Sequence, residues 1–369
     1  MKTIAYVVSS LPPSGPTTQL LHLLKNLDRD RFMPRLVVLS PERGNRSVRS
    51  ELPSDVEVHS LDLGRLSAVG RGARDLDRIL KRIDPKIVHT SGARPDSWVS
   101  RLTGQWRHLA TLRNDPFHDY PSRFGTLLGR VLAFWHLRAL RRVQQPVACS
   151  SELARTYSRQ YGISAEAIRN GVDTDYFRPS DDLPTERTDF LWVGSLIPRK
   201  EPNLMIDAFG HAFPRDVPGP STPGLSMLGD GPLSNQLASE ANHPGVSLNG
   251  AVDDPLPYYH QASWFVSTSR SEGLPNAALE ALSCGLPALL SDIPAHRELA
   301  EHAGEAVRLV PEHSTKAWAE ALHAAASDCN LPARRYAARQ AAERHFSARA
   351  MAKQYMALYE DLIQQGRCS

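Results

Sequence analysis

The stretch 269-SRSEGLPNAALEALSCGLPALLSD-292 sets two carboxylates, Glu272 and Glu280, eight residues apart around a Gly-Leu-Pro-Asn turn. WFVSTS (264–269) reads as a strand leading into it. LPNAALEALSCG reads as a helix. Pro275 suits the first turn, because its missing N–H has no helical partner to lose. Gly285 suits the position after the last turn. LPALLSD (286–292) reads as the next strand, so the whole is a parallel strand-helix-strand unit. Glu272 then stands in the loop at a strand's carboxyl end, and Glu280 about two turns into the helix. The N–H groups of Gly273, Leu274 and the helix start form an anion site suited to a diphosphate. A carboxylate deeper along the helix can accept two hydrogen bonds from a ribose diol. The acid near the tip can hold sugar hydroxyls.

The same rhythm extends in both directions. Strand candidates in the first half are TIAYVVSS, RLVVLS, VEVHSL, KIVHTSG, HLATLRN and PVACSS, with amphipathic stretches such as 16–27 and 73–83 between them. A second series comprises FLWVGSL (190–196), LSMLGDG (225–231), VSLNG (246–250), the two strands above and AVRLV (306–310). The polar segment 177–189 has linker composition, and 213–224 is a Pro- and Gly-rich loop. Residues 333–363 read as nearly continuous helix. At roughly 100–200 residues per domain, 369 residues make two or three. Two doubly wound α/β domains follow. Ligands of such sheets bind outside the carboxyl ends of the strands, and the expected active site is a cleft between the domains.

Composition narrows the class. No apolar run approaches the ~18 residues of a spanning helix, and the amino terminus lacks the long apolar run of a signal peptide. Cys149, Cys284, Cys329 and Cys368 form no CxxC pair, so a reduced, cytoplasmic setting without zinc or disulfides is expected. Residues 1–180 carry 28 Lys and Arg against 17 Asp and Glu, and the rest 15 against 23. The first half is therefore a basic body that attracts anions.

The motif E-G-L-P-N-x-x-x-E followed by A-x-x-C-G-L-P resembles the signature of the retaining glycosyltransferases of family 4, which have the GT-B fold. VGSLIPRKEPNLMIDAF resembles that family's donor-phosphate segment, and LGDGPL (228–233) its Gly-rich turn. ACSSELARTYSRQYGI with IRNGVDTDYFRP resembles the end of its first domain. The resemblance implies an acceptor-binding domain over 1–178 and a nucleotide-sugar domain over 179–345. A helix over 346–369 would cross back to the first domain. It implies that Glu280 binds ribose and that Glu272 contacts the donor sugar with Gly273, Leu274, Pro275 and Asn276. Arg199 and Lys200 would neutralise the diphosphate, so no metal or other cofactor is expected. Gly250 and Val252 would lie near the base.

Three positions depart from the family pattern. Gly15 is followed by Pro16 where a second glycine is usual, so Thr17 or Thr18 would contact the donor. Ser195 stands where many relatives have Arg. Arg113 stands where many have His, and because it stays protonated it binds rather than acts as a base. His89 and Asn114, at strand ends, are candidates for acceptor contact.

Residues 122–142 read as one helix. At ~100° per residue, Arg123, Arg130 and Arg141 fall on one line, with Leu127, Val131, Phe134 and Arg138 beside them and Leu128, Leu132, Ala139 and Leu140 opposite. Such a basic arc suits an anionic membrane surface, where a lipid-linked acceptor would be met. There is no GxxxxGK[ST] loop, and GRGARD and GDGPLS lack the third glycine of GxGxxG. The pairs DTD (173–175) and DLD (75–77) read as incidental rather than metal-binding. No nucleic-acid module is present. The expected activity is sugar transfer from a nucleotide diphosphate sugar to an acceptor hydroxyl in cell-surface glycan assembly. The rivals are an epimerase or hydrolase on the same fold and a silent sugar-nucleotide binder.

Overall fold

A computed structural model describes residues 1–41, 47–64, 72–181, 188–214, 223–240 and 243–366, the side chain of Arg123 excepted. Residues 182–187 of the linker at 177–189, most of the loop at 213–224, the start of GRGARD, and Cys368 lie outside the described residues. The chain divides into two compact units, Met1–Gly171 with Ala348–Ser369, and Val172–Ser347.

Among the described residues, the first unit holds seven parallel strands: β1 (Lys2–Val8), β2 (Phe32–Val38), β3 (Glu57–Ser60), β4 (Ile87–Ser91), β5 (Arg107–Leu112), β6 (Gln145–Ala148) and β7 (Glu166–Ala167). Their order is β3-β2-β1-β4-β5-β6-β7. The described residues of the second unit hold six: β8 (Asp189–Val193), β9 (Gly224–Leu228), β10 (Val246–Leu248), β11 (Trp264–Ser267), β12 (Ala288–Ser291) and β13 (Val307–Val310), in the order β10-β9-β8-β11-β12-β13. Both orders start at a central strand, run outward, then reverse. This is the doubly wound Rossmann pattern, with switch points between β1 and β4 and between β8 and β11.

The strands read as continuous apolar runs because both faces are covered. On one face of the first sheet, Ile4, Tyr6, Leu36 and Leu109 pack with the helix Gly15–Lys25 and with Met351, Tyr355 and Tyr359 of the helix Ala348–Gln365. On the other, Ala5, Val7 and Val88 pack against Leu76 and Leu80 of the helix Gly72–Ile83. The second unit has its own core around Trp192, Phe209, Trp264 and Trp318.

Three helix readings need correction. Residues 333–363 are not one helix: Leu331–His345 and Ala348–Gln365 are separate, and the break at Phe346–Ser347 is where the chain leaves the second unit. Residues 122–142 are also divided, into Pro116–Phe124 and Thr126–Leu140, at Gly125 with φ +79°. The helix after β11 is Asn276–Ser283, with Pro275 extended at its N-cap, so Glu280 lies little more than one turn in. Its end is a Schellman motif: Leu286 N–H donates to Ala281 and Gly285 N–H to Leu282, with Gly285 at φ +72°. Among the described residues, no helix is long and apolar enough to cross a membrane.

Candidate functional site

The second unit's switch point gathers four chain segments. After β8 the chain turns through Gly194 and Ser195 into the short 3-10 turn Pro198–Lys200. After β9 comes the Gly229-Asp230-Gly231 turn. It lies against the β8 turn so closely that a Cβ on Gly229 would stand 1.8 Å from the Gly194 carbonyl oxygen, and one on Gly231 2.4 Å from that of Leu196. The Gly194 N–H donates to Leu228 and the Leu196 N–H to Asp230, and the Gly229 N–H donates to the carbonyl of Gly250, which follows β10. Gly250 and Ser195 are exposed and Val252 half-buried.

The loop after β11 brings Glu272 to this place. Lys200 Nζ lies 2.9 Å from Glu272 Oε1, and Arg199 Nη1 3.2 Å from Oε2. Ser269 Oγ donates to Oε1 at 2.8 Å. Arg199 also donates to the Ser271 carbonyl. The Arg270 N–H donates to the Arg199 carbonyl, and Thr268 Oγ1 to those of Lys200 and Glu201 at 2.9 Å. Burial alone would raise the Glu272 pKa. Lys200 and Arg199 outweigh it and hold the carboxyl at about 2. The result is two cations locked on one carboxylate at the carboxyl edge of a parallel sheet.

Glu280 is in the opposite state. Burial pushes its pKa up to about 7, although the Tyr259 hydroxyl, donating to Oε2 at 2.9 Å, pulls it down. Gly273, Leu274 and Pro275 are buried in the turn between the two acids, and Asn276 is half-buried.

His296 went unnoticed in the sequence. It is fully buried, and its Nδ1 lies 2.8 Å from the Ser291 carbonyl, so Nδ1 carries the proton. Its Nε2 has no hydrogen-bond partner among the described residues. Burial lowers its pKa to about 4, against an opposing pull from Glu272. No motif marks it, since it lies 24 residues beyond Glu272 in an ordinary helix, Pro294–Ala303.

The remaining candidates sit in the first unit. Gly15 opens the helix Gly15–Lys25, with Pro16 in its first turn. The Thr17 and Thr18 hydroxyls are engaged there, 3.1 Å from Ser14 Oγ and 3.2 Å from the Ser14 carbonyl. Arg113, after β5, donates to Asn170 Oδ1 at 2.8 Å, and its Nε is buried without a partner among the described residues. Arg113 and His89 line one small cavity with Tyr6, Gln19, Ser91 and Tyr355. His89 is not presented at a strand end: it is 5% exposed, with Nδ1 2.7 Å from Tyr359 Oη and Nε2 2.6 Å from Thr111 Oγ1. Burial, with Arg113 nearby, lowers its pKa to about 3. Substrate contact there requires one of these bonds to open. The Asn114 carbonyl accepts from Tyr157 at 3.1 Å.

The carboxylates of both Asp pairs have local partners. Asp173 caps a turn through the N–H groups of Asp175 and Tyr176, and Asp75 and Asp77 pair with Arg78 and Lys81 along their helix. Among the described residues, no cluster of three or more His, Cys, Asp or Glu could hold a metal.

Two doubly wound units of this strand order, with a paired-cation site at a switch point, fit the class of GT-B glycosyltransferases. Residues 187–328 match the family described as Glycosyl transferases group 1, and 13–176 that described as Glycosyltransferase Family 4. The chain belongs to these group 1, family 4 glycosyltransferases. It is similar to the O-antigen biosynthesis glycosyltransferase WclY of Escherichia coli, with 25% identity over 315 residues that cover 80% of this chain and 82% of that protein. In fold it resembles sucrose-phosphate synthase from Thermosynechococcus elongatus, with TM-score 0.82 and 19% identity, covering 99% of this chain and 100% of that one. It also resembles Anabaena HepE in complex with UDP and glucose, with TM-score 0.77 and 17% identity over 98% of this chain and 100% of that one.

Proposed function

We propose that the protein transfers a hexose or N-acetylhexosamine from a nucleoside diphosphate sugar to an acceptor hydroxyl, with retention of the anomeric configuration. The observation that carries this reading is the Arg199–Lys200–Glu272 cluster at the β8/β11 switch point. The diphosphate lies against Arg199 and Lys200, whose charge stabilises it as leaving group. One such preorganised donor is worth roughly 2.7–4 kcal/mol. Glu272 holds both cations in place and takes hydroxyls of the donor sugar. Glu280, once ionised, accepts from the ribose diol. The acceptor oxygen bonds to the anomeric carbon on the face from which the diphosphate departs. The bond to the diphosphate breaks, and a diphosphate oxygen takes the acceptor proton. The two side-chain cations occupy the role a divalent ion plays elsewhere, which supports a metal-independent reaction. WclY is named for O-antigen biosynthesis, which supports a glycan or lipid-linked acceptor in cell-surface glycan assembly at the inner face of a membrane.

Thermal unfolding with UDP, GDP, ADP and their sugar conjugates, in the presence of a chelator, tests the donor site. One nucleotide should raise the melting temperature selectively and without metal. No rise with any of them overturns the site. The variant carrying Arg199→Ala and Lys200→Ala should lose turnover by orders of magnitude while keeping its fold, and unchanged kinetics would remove both residues from the mechanism. Sugar release without acceptor would favour a hydrolase, and binding without turnover a silent partner.

A further inference from the structure

The helix Thr126–Leu140 is turned inside out. Seven of the ten large hydrophobic side chains exposed among the described residues lie between Phe124 and Trp135, with Leu127 82%, Phe134 56% and Trp135 54% exposed. Leu128 and Leu132, on the wheel side opposite the arginines, are exposed too. The helix buries the small Gly129, Ala133 and Ala139 and the polar His136, and of its large apolar side chains only Leu137 and Leu140. The inward face is fixed. His136 Nε2 lies 2.8 Å from Asp96 Oδ2 and Nδ1 2.8 Å from Tyr120 Oη, both within the first unit. A Cβ on Gly129 would stand 2.4 Å from the Pro121 backbone nitrogen. The helix therefore cannot roll to hide its apolar side without breaking these contacts.

We propose that this face inserts into the headgroup region of an anionic lipid bilayer. Charge selects that occupant. Between Asp119 and Glu152 there is no carboxylate and there are five arginines. Arg130, Arg138, Arg141 and Arg142 are exposed beside and beyond the apolar turns. A second copy of the chain packed here would set arginine rows face to face with no acid between them. Lipid phosphates pair with the arginines while the apolar side chains enter the acyl boundary, as interfacial helices do to a depth of ~5–10 Å. The inference adds a surface to the proposed transferase and is read without turnover, so the two stand or fall separately.

The test uses the full chain with vesicles of phosphatidylcholine alone or equimolar with phosphatidylglycerol. The protein should float with the anionic vesicles at low salt, and its tryptophan emission should shift to the blue. Trp135→Phe should still bind but lose that shift. Leu127→Ser with Phe134→Ser should weaken binding tenfold or more with the melting temperature kept, since both side chains are exposed. Absence of wild-type binding, an equal affinity in the double variant, or a blue shift that persists in Trp135→Phe overturns the proposal. So does a wild-type dimer that the double variant turns into a monomer, which would make the face a self-interface. Should the double variant not fold, wild type and Trp135→Phe decide it.

Discussion

At the scale of the residue, Glu272 and Glu280 are one motif with opposite titrations. The spacing of the acids was legible in the sequence. Their states were not, because Lys200 is 72 residues from Glu272 and Tyr259 is 21 residues from Glu280, and only the fold sets them in contact. For Glu272 the folded pKa lies below the ordinary value, so its ion pairs stabilise the fold above about pH 4.3 and are lost as pH falls toward about 2. For Glu280 the folded pKa of about 7 lies above the ordinary value. The native state is therefore favoured at low pH, and that advantage is lost as pH rises from about 4.3 through about 7. Urea unfolding at pH 5 and pH 8 should show wild type losing on the order of 1–3 kcal/mol more than Glu280→Gln across that interval. Equal slopes would mean that Glu280 is ionised throughout. In the folded protein the ionised form is also the one that accepts from a diol, so nucleotide affinity should rise through about pH 7 in wild type and stay flat in Glu280→Gln.

At the scale of the element, the Gly-rich turn is an instrument of close approach. LGDGPL was recognisable as a pattern, but which backbone its glycines meet was not, since Gly194 and Leu196 come from a different strand end. Gly229 combines φ +135° with a Cβ position inside the Gly194 carbonyl. Gly229→Ala should cost about 1–3 kcal/mol or more and lower the melting temperature by roughly 3–10 °C, and it should weaken nucleotide binding. Gly210, near the end of the helix Pro202–Ala212, is the contrast. A Cβ there meets only His243, at 3.8 Å, and its φ is ordinary, so Gly210→Ala should stabilise by about 0.5–1 kcal/mol. A calorimetric scan that moves both variants the same way would contradict this account. The strands were legible because sheets covered on both faces need unbroken apolar runs. The sequence reads 122–142 as one unbroken helix because the break rests on one positive-φ glycine, Gly125, which leaves no mark on apolar periodicity.

At the scale of the whole molecule, the last helix decides how the chain is partitioned. Periodicity carries through 333–363 because Phe346 and Ser347 do not interrupt a helical pattern. The break comes from tertiary pairing instead: the Val172 N–H donates to the Phe346 carbonyl at 2.7 Å, so the chain enters and leaves the second unit side by side. Beyond it, Tyr355 and Tyr359 enter the core of the first unit. Tyr355 Oη is 3.1 Å from Thr111 Oγ1, and Tyr359 Oη is 2.7 Å from His89 and 3.3 Å from Tyr6 Oη. These residues share one apolar cluster with Ile4, Leu36 and Leu109, so the helix is part of that core and not an appendage. Tyr359→Phe keeps the ring and leaves a buried His89 nitrogen unpaired, which should cost about 1–3 kcal/mol. Deleting Ala348–Gln365 removes the core partners altogether. Calorimetry on that deletion should show the first unit's transition gone and the second unit's, with its own core and its Arg199–Lys200–Glu272 cluster, retained together with any nucleotide-induced shift. If both transitions survive, the terminal helix is dispensable to the first sheet. If both disappear, the two cores do not fold as separate cooperative units.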